Sequence, residues 1–157
     1  MLYKLTTQNT NQRRIKLSTG RKKIVLSGAF DPPTLGHTKM FQHASLIGDI
    51  IVVLNTDDWI LRNKYRVFLD REKRKKILYN MPGVVKIVDA LDEDDTVCES
   101  LKKIRPDMFG NGGHRTRLNT PEIDLCRKLG IELVWKVGSV EDNKNTLDLY
   151  TNVIEHI

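Results

Sequence analysis

The chain has 157 residues, 39% apolar and 29% charged, with a formal net charge of +6. That length suits one domain with a real core, and the composition is that of an ordinary globular protein. No apolar run is long enough to span a bilayer, the first residues lack the apolar stretch of a secretory signal, and Cys98 and Cys126 have neither metal nor redox spacing, so a cytoplasmic protein with reduced thiols is expected.

Residues 1–20 read as a basic N-terminal extension and residues 21–157 as the folded domain. The first 30 residues hold seven Lys or Arg and no acid. That bias could serve nucleic acid or a phosphate-rich ligand, and it also has the acid-poor look of a transit peptide. Nucleic acid is disfavoured, because no aromatic residue beyond Tyr3 interleaves with the charges. An apolar run then predicts a strand over 24–27, which leads into Gly28-Ala29-Phe30-Asp31-Pro32-Pro33-Thr34-Leu35-Gly36-His37. A helical pattern over 38–47 follows, and residues 49–54 (DIIVVL) form a second buried-strand run. Asp57 and Asp58 start a short helix that ends near Arg62, and 63–68 reads as a basic loop. Asp70 is the expected N-cap of a helix over 71–80, which Met81-Pro82-Gly83 ends. A third strand is predicted over 84–88, a helix over 96–104, and a short strand at 108–109 that runs into Gly110-Asn111-Gly112-Gly113. Thr120 is expected to cap a helix over 121–129 with Pro121 in its first position, Gly130 to end it, 131–137 to form the last strand, and 146–157 a closing helix.

Strands alternating with helices predict an α/β domain: an open, mostly parallel, Rossmann-like sheet with helices on both faces. Ligands of such sheets bind beyond the carboxyl ends of the strands. The Gly28 turn, the turn at 55–58 and the Gly110–Gly113 turn all follow strands and should line that edge. No Walker A sequence, no Gly-x-Gly-x-x-Gly and no nucleophile elbow is present. What remains is backbone N–H groups at a helix start, a His, a Thr and many cations. These suit phosphoryl or nucleotidyl transfer, where positioning and charge neutralisation do most of the work.

The segment Gly28-Ala29-Phe30-Asp31-x-x-Thr34-x-Gly36-His37 resembles the signature of the cytidylyltransferase-like nucleotidyltransferase superfamily, Gly-x-Phe-Asp followed by His-x-Gly-His or Thr-x-Gly-His. Gly48-Asp49 with Asn55-Thr56-Asp57-Asp58, Arg71-Glu72-Lys73-Arg74, and Arg105-Pro106-Asp107 with Gly110-Asn111-Gly112-Gly113-His114 resemble further motifs of that superfamily in the same order. The likeness covers residues 22 to about 135 and includes glycerol-3-phosphate cytidylyltransferases and heptose-1-phosphate adenylyltransferase domains. Asn111 stands where the sugar-phosphate branch has Lys, and His114 where it has Asp. Residues 141–146 replace its Ser/Thr-rich turn, with Asn145 and Thr146 as the remaining donors.

The resemblance implies transfer of a nucleoside monophosphate from CTP or ATP to a small phosphorylated acceptor, with Mg²⁺ accompanying the triphosphate and pyrophosphate leaving. CTP is slightly favoured, and a homodimer is expected. His37, Thr34 and Lys64 would be catalytic. Gly28, Ala29, Phe30, Gly36, His37, Asn111, Gly112, Gly113, Asn145 and Thr146 would bind the nucleotide. Asp31, Arg74, Arg62 and Arg66 would hold the acceptor. No protein side chain is expected to bind metal. The other reading of the same fold is a nucleotide- or phosphometabolite-binding module without turnover.

Overall fold

The apolar runs of the sequence become the inner strands of one parallel sheet, whose two faces both need cover. The computed structural model describes residues 20–113 and 115–139. β1 (Lys23–Gly28) and β2 (Asp49–Leu54) pair along their full length, from Lys23 opposite Asp49 to Gly28 opposite Leu54. β3 (Val84–Asp89) adds beyond β2, β4 (Met108–Gly110) on the other side of β1, and β5 (Glu132–Val134) beyond β4. The strand order is β3-β2-β1-β4-β5, every pairing is parallel, and the fold is the expected Rossmann-like α/β architecture.

Alternate residues of each strand face opposite layers, which is why β1 and β2 carry apolar residues without a break. Ile24, Leu26, Ile50, Val52 and Leu54 pack with Phe41 and Ala44 of α1 (Leu35–Ile47) and Leu78 of α3 (Arg71–Tyr79). Val25, Ile51 and Val53 face Leu101 of α4 (Cys98–Ile104) and Cys126 of α5 (Ile123–Leu129). The short α2 (Asp57–Lys64) buries Ile60.

Several boundaries move for identifiable reasons. α1 begins at Leu35 rather than 38, because Thr34 and His37 form a capping box around its first turn. α2 runs on through Lys64 and ends where Tyr65 turns left-handed at φ 64°, so Lys64 closes a helix and does not lie in the loop. Asp70 caps α3 as expected, accepting from the Lys73 N–H at 3.0 Å. α4 starts at Cys98, not 96: the Asp94 carboxylate takes the Thr96 N–H and hydroxyl, and Asp92 accepts from the N–H groups of Glu99 and Ser100. Thr120 does not cap α5. Its hydroxyl turns back to the Thr116 carbonyl at 2.8 Å, and the helix starts two residues later than Pro121 predicts. The last strand stops at Val134 rather than 137. Beyond it the chain folds over β4, and the Val137 N–H donates to the Asn111 carbonyl at 2.9 Å. The helix expected over 146–157, the turn at 141–146 with Asn145 and Thr146, and nearly all of the basic extension lie outside the described residues.

Candidate functional site

The strand order reverses direction between β1 and β4, so the crevice beyond their carboxyl ends is the ligand position such a sheet prepares. On one side of it lies the turn after β1. Gly28 leaves room there for the Phe30 ring: a Cβ at Gly28 would sit 3.2 Å from that ring. Phe30 is buried, and its ring meets His37 edge-on, with centroids 4.8 Å apart and planes at 70°. Phe41 backs it at 5.6 Å. Phe30 therefore serves as the wall against which the His37 ring packs. Thr34 holds the same ring from below. Its N–H donates to His37 Nδ1 at 2.9 Å, its Oγ1 lies 3.1 Å from that nitrogen, and the His37 N–H donates to Oγ1 at 3.4 Å.

These contacts decide the protonation state. Nδ1 accepts from a backbone N–H, so it presents its lone pair there, and the neutral ring keeps its proton on Nε2. Burial lowers the His37 pKa, and the ammonium of Lys64 lowers it further. At neutral pH the residue is thus a neutral imidazole with one outward donor. Lys64, the last residue of α2, is thus a cation whose charge bears on the His37 ring. The first-turn N–H groups of α1, the positive end of its dipole, Nε2–H and Lys64 together form an anion-accepting corner.

The remaining expected residues divide. Gly36 is exposed at the α1 start, and Ala29 is buried behind the turn. Asp31 does not face the acceptor: its carboxylate accepts from the Phe68 N–H at 2.8 Å and the Leu69 N–H at 2.6 Å, clamping the 65–70 loop to the first turn. Arg74 is the clearest correction. It is fully buried, and its guanidinium donates to the carbonyls of Leu69, Ala29 and Asn55 and to the Asp57 carboxylate, leaving it enclosed by protein. Arg62 donates to the Glu93 carbonyl at 3.3 Å, while Arg66 lies over the exposed Phe68 ring at 4.8 Å. Across the crevice, Asn111 is also buried, its side chain donating to the Phe109 carbonyl and its backbone tied to Val134 and Val137. Among the described residues of that turn, Gly112 is half-buried and Gly113 exposed. Among the described residues, no group of three or more His, Cys, Asp and Glu side chains is arranged to hold a metal, and no helix is long and apolar enough to cross a membrane.

Sequence reasoning missed Asn55 and Asp57 as partners of Arg74, and Asp89, which pairs with Arg71 through two hydrogen bonds. An Asp at the end of a strand and an Arg on a helix 18 residues earlier give no local signal of that pairing.

An open parallel sheet of this order, with a glycine turn and a capped helix start after β1, defines a Rossmann-like α/β domain. A family model described as cytidylyltransferase-like matches residues 25–117, and the chain belongs to that family. The bifunctional protein HldE of Syntrophotalea carbinolica is 32% identical over 143 residues, covering 88% of this chain and 27% of its own length. FAD synthase of Ferroglobus placidus is 25% identical over 91 residues, covering 58% of this chain and 59% of its own length. A lipopolysaccharide core biosynthesis protein from Thermoplasma volcanium shares the fold with a TM-score of 0.60 at 20% identity, over 74% of this chain and 96% of that one. The chain thus spans between 20% and 28% of the length of the bifunctional relatives it matches.

Proposed function

We propose that the chain transfers a nucleoside monophosphate from a nucleoside triphosphate to a small phosphorylated acceptor. The observation that supports this best is His37, held neutral with Nε2–H outward, beside Lys64 at the switch point. An acceptor phosphate oxygen attacks the α-phosphorus, the bond to the β-phosphate bridging oxygen breaks, and that oxygen leaves with pyrophosphate carrying the electron pair. Nε2–H donates to the oxygen on which charge grows, and Lys64 offsets that charge. Neither group needs to give up a proton. Gly112 and Gly113 offer backbone to the nucleotide, and the exposed Arg66 meets the acceptor. Mg²⁺ would find its ligands on phosphate oxygens and water rather than in a protein cage, and the steps above do not run through it.

ATP replaces CTP as the favoured triphosphate. The likeness to FAD synthase, whose product carries an adenylyl group, and to heptose-1-phosphate adenylyltransferase domains outweighs the slight lean of the sequence. A pyrophosphate-release assay with ATP or CTP, Mg²⁺ and a panel of phosphorylated acceptors tests the reading. Release with ATP that disappears in His37→Ala supports it. Tight triphosphate binding with no release under any pairing overturns it in favour of a binding module.

A further inference from the structure

The buried guanidinium of Arg74 joins parts of the chain that are far apart in sequence and meet only at the site. Its Nη1 donates to the Ala29 carbonyl at 2.8 Å and the Asn55 carbonyl at 2.9 Å; Nε donates to the Leu69 carbonyl at 3.0 Å; Nη2 donates to Asp57 Oδ1. The three carbonyls lie where regular pairing has ended. The Asn55 N–H to Gly28 carbonyl bond, at 2.9 Å, continues the β1–β2 ladder, and beyond it the two chains diverge into their turns. Ala29 and Asn55 therefore lose the neighbours that would have satisfied their oxygens, and a buried carbonyl without a donor is costly. One planar fork with fixed donor directions meets all of them, which a lysine ammonium cannot do.

What these acceptors carry matters more than their number. Ala29 precedes Phe30, the wall against His37. Asp57 opens α2, whose last residue is Lys64. Leu69 closes the loop that contains Arg66 and that Asp31 grips from the other side. We infer that Arg74 is a positioning residue for the proposed transfer reaction: from the sheet's interior it sets where His37, Lys64 and the 65–70 loop stand relative to one another. It touches neither nucleotide nor acceptor. This inference rests on the proposed function for its kinetic consequence and on geometry alone for its conformational one.

Arg74→Lys tests it, because the substitution keeps a cation while removing the fork. The imidazole of His37, assigned by the signal lost in His37→Asn, is titrated by NMR in wild type and variant. Lys64 is the charged group facing that ring from α2, so release of α2 raises the midpoint toward the ordinary histidine value. In the pyrophosphate assay, kcat falls about 100-fold, as small misplacements of reacting groups do, while the KM for triphosphate holds because the Gly112–Gly113 side does not depend on Arg74. Asp57→Ala, at a half-buried helix start, is the second variant should Arg74→Lys fail to fold. It frees α2 alone, and the His37 midpoint shifts the same way. An unchanged midpoint and unchanged kcat in a folded Arg74→Lys overturn the inference, as does a rise in KM alone, which would mean that Arg74 serves binding. If wild type shows no turnover, the proposed function fails, and the His37 titration still decides the positioning role.

Discussion

His37 does two jobs through two nitrogens, and two substitutions separate them. Asn places its side-chain oxygen near the position of Nδ1 and has nothing at Nε2. Gln places a donor near Nε2, and as the third helical residue after a Thr cap its Oε1 still accepts the Thr34 N–H, the Thr-x-x-Gln form of the capping box. In both variants the cap of α1 survives but the edge-on contact with Phe30 is lost, which costs about 1 kcal/mol. For a domain of this size the melting temperature should fall by about 3 °C in each. The rates should differ. Loss of a preorganised donor at the growing charge lowers kcat about 100- to 1,000-fold in the Asn variant, and the Gln variant retains more. Pyrophosphate release at saturating ATP and acceptor, paired with thermal melts followed by circular dichroism, measures both effects. The reasoning is refuted if Asn is at least as active as Gln, or if either variant melts at the wild-type temperature.

The lowered His37 pKa carries a pH signature. Above the unfolded-state value of about 6.5 both states are neutral and no contribution arises. As pH falls below it the unfolded chain takes the proton first, so stability drops until pH reaches the folded value. Urea melts from pH 8 to pH 5 should show that loss in wild type and lack this component in His37→Asn. The chain segment that closes over β4 offers a steric test. Gly138 has φ 78°, and a Cβ there would stand 2.6 Å from the backbone of Met40, whereas Gly130 has φ 70° with nothing within 4 Å. Gly130→Ala should cost about 1 kcal/mol from backbone strain alone, and Gly138→Ala about 2–4 kcal/mol because α1 must also move. Equal urea midpoints for the two would show that the close approach to Met40 is absent in solution.

The sheet was legible because its signals are local. Six consecutive apolar or buried residues in β2 can only be an inner strand of a parallel sheet, and glycine turns after such strands must share an edge. The start of α1 was readable to within a turn: a capping box is a three-residue relation, and the pattern alone placed the helix only from 38. Arg74, Asp31 and Asn111 were not. Each has the side chain that a phosphate or nucleotide site needs, at a position the motif allows. What decides their use is which unsatisfied backbone groups come within reach, and those belong to residues up to 45 positions away. Exposure decided the matter for Arg74: a fully buried guanidinium with four of its five donors spent on protein acceptors is committed to the scaffold.

By itself, then, the amino-acid order determined the strand periods, the turn chemistry and the helix start that aims a histidine at an anion, because these depend on near neighbours along the chain. Only the tertiary structure decided which nitrogen of His37 faces outward, which cation stands beside it, and that the arginine expected at the acceptor instead holds the turns in place. Hydrogen-bond supply and burial are properties of the packed chain, and they assign identical side chains to binding or to scaffolding.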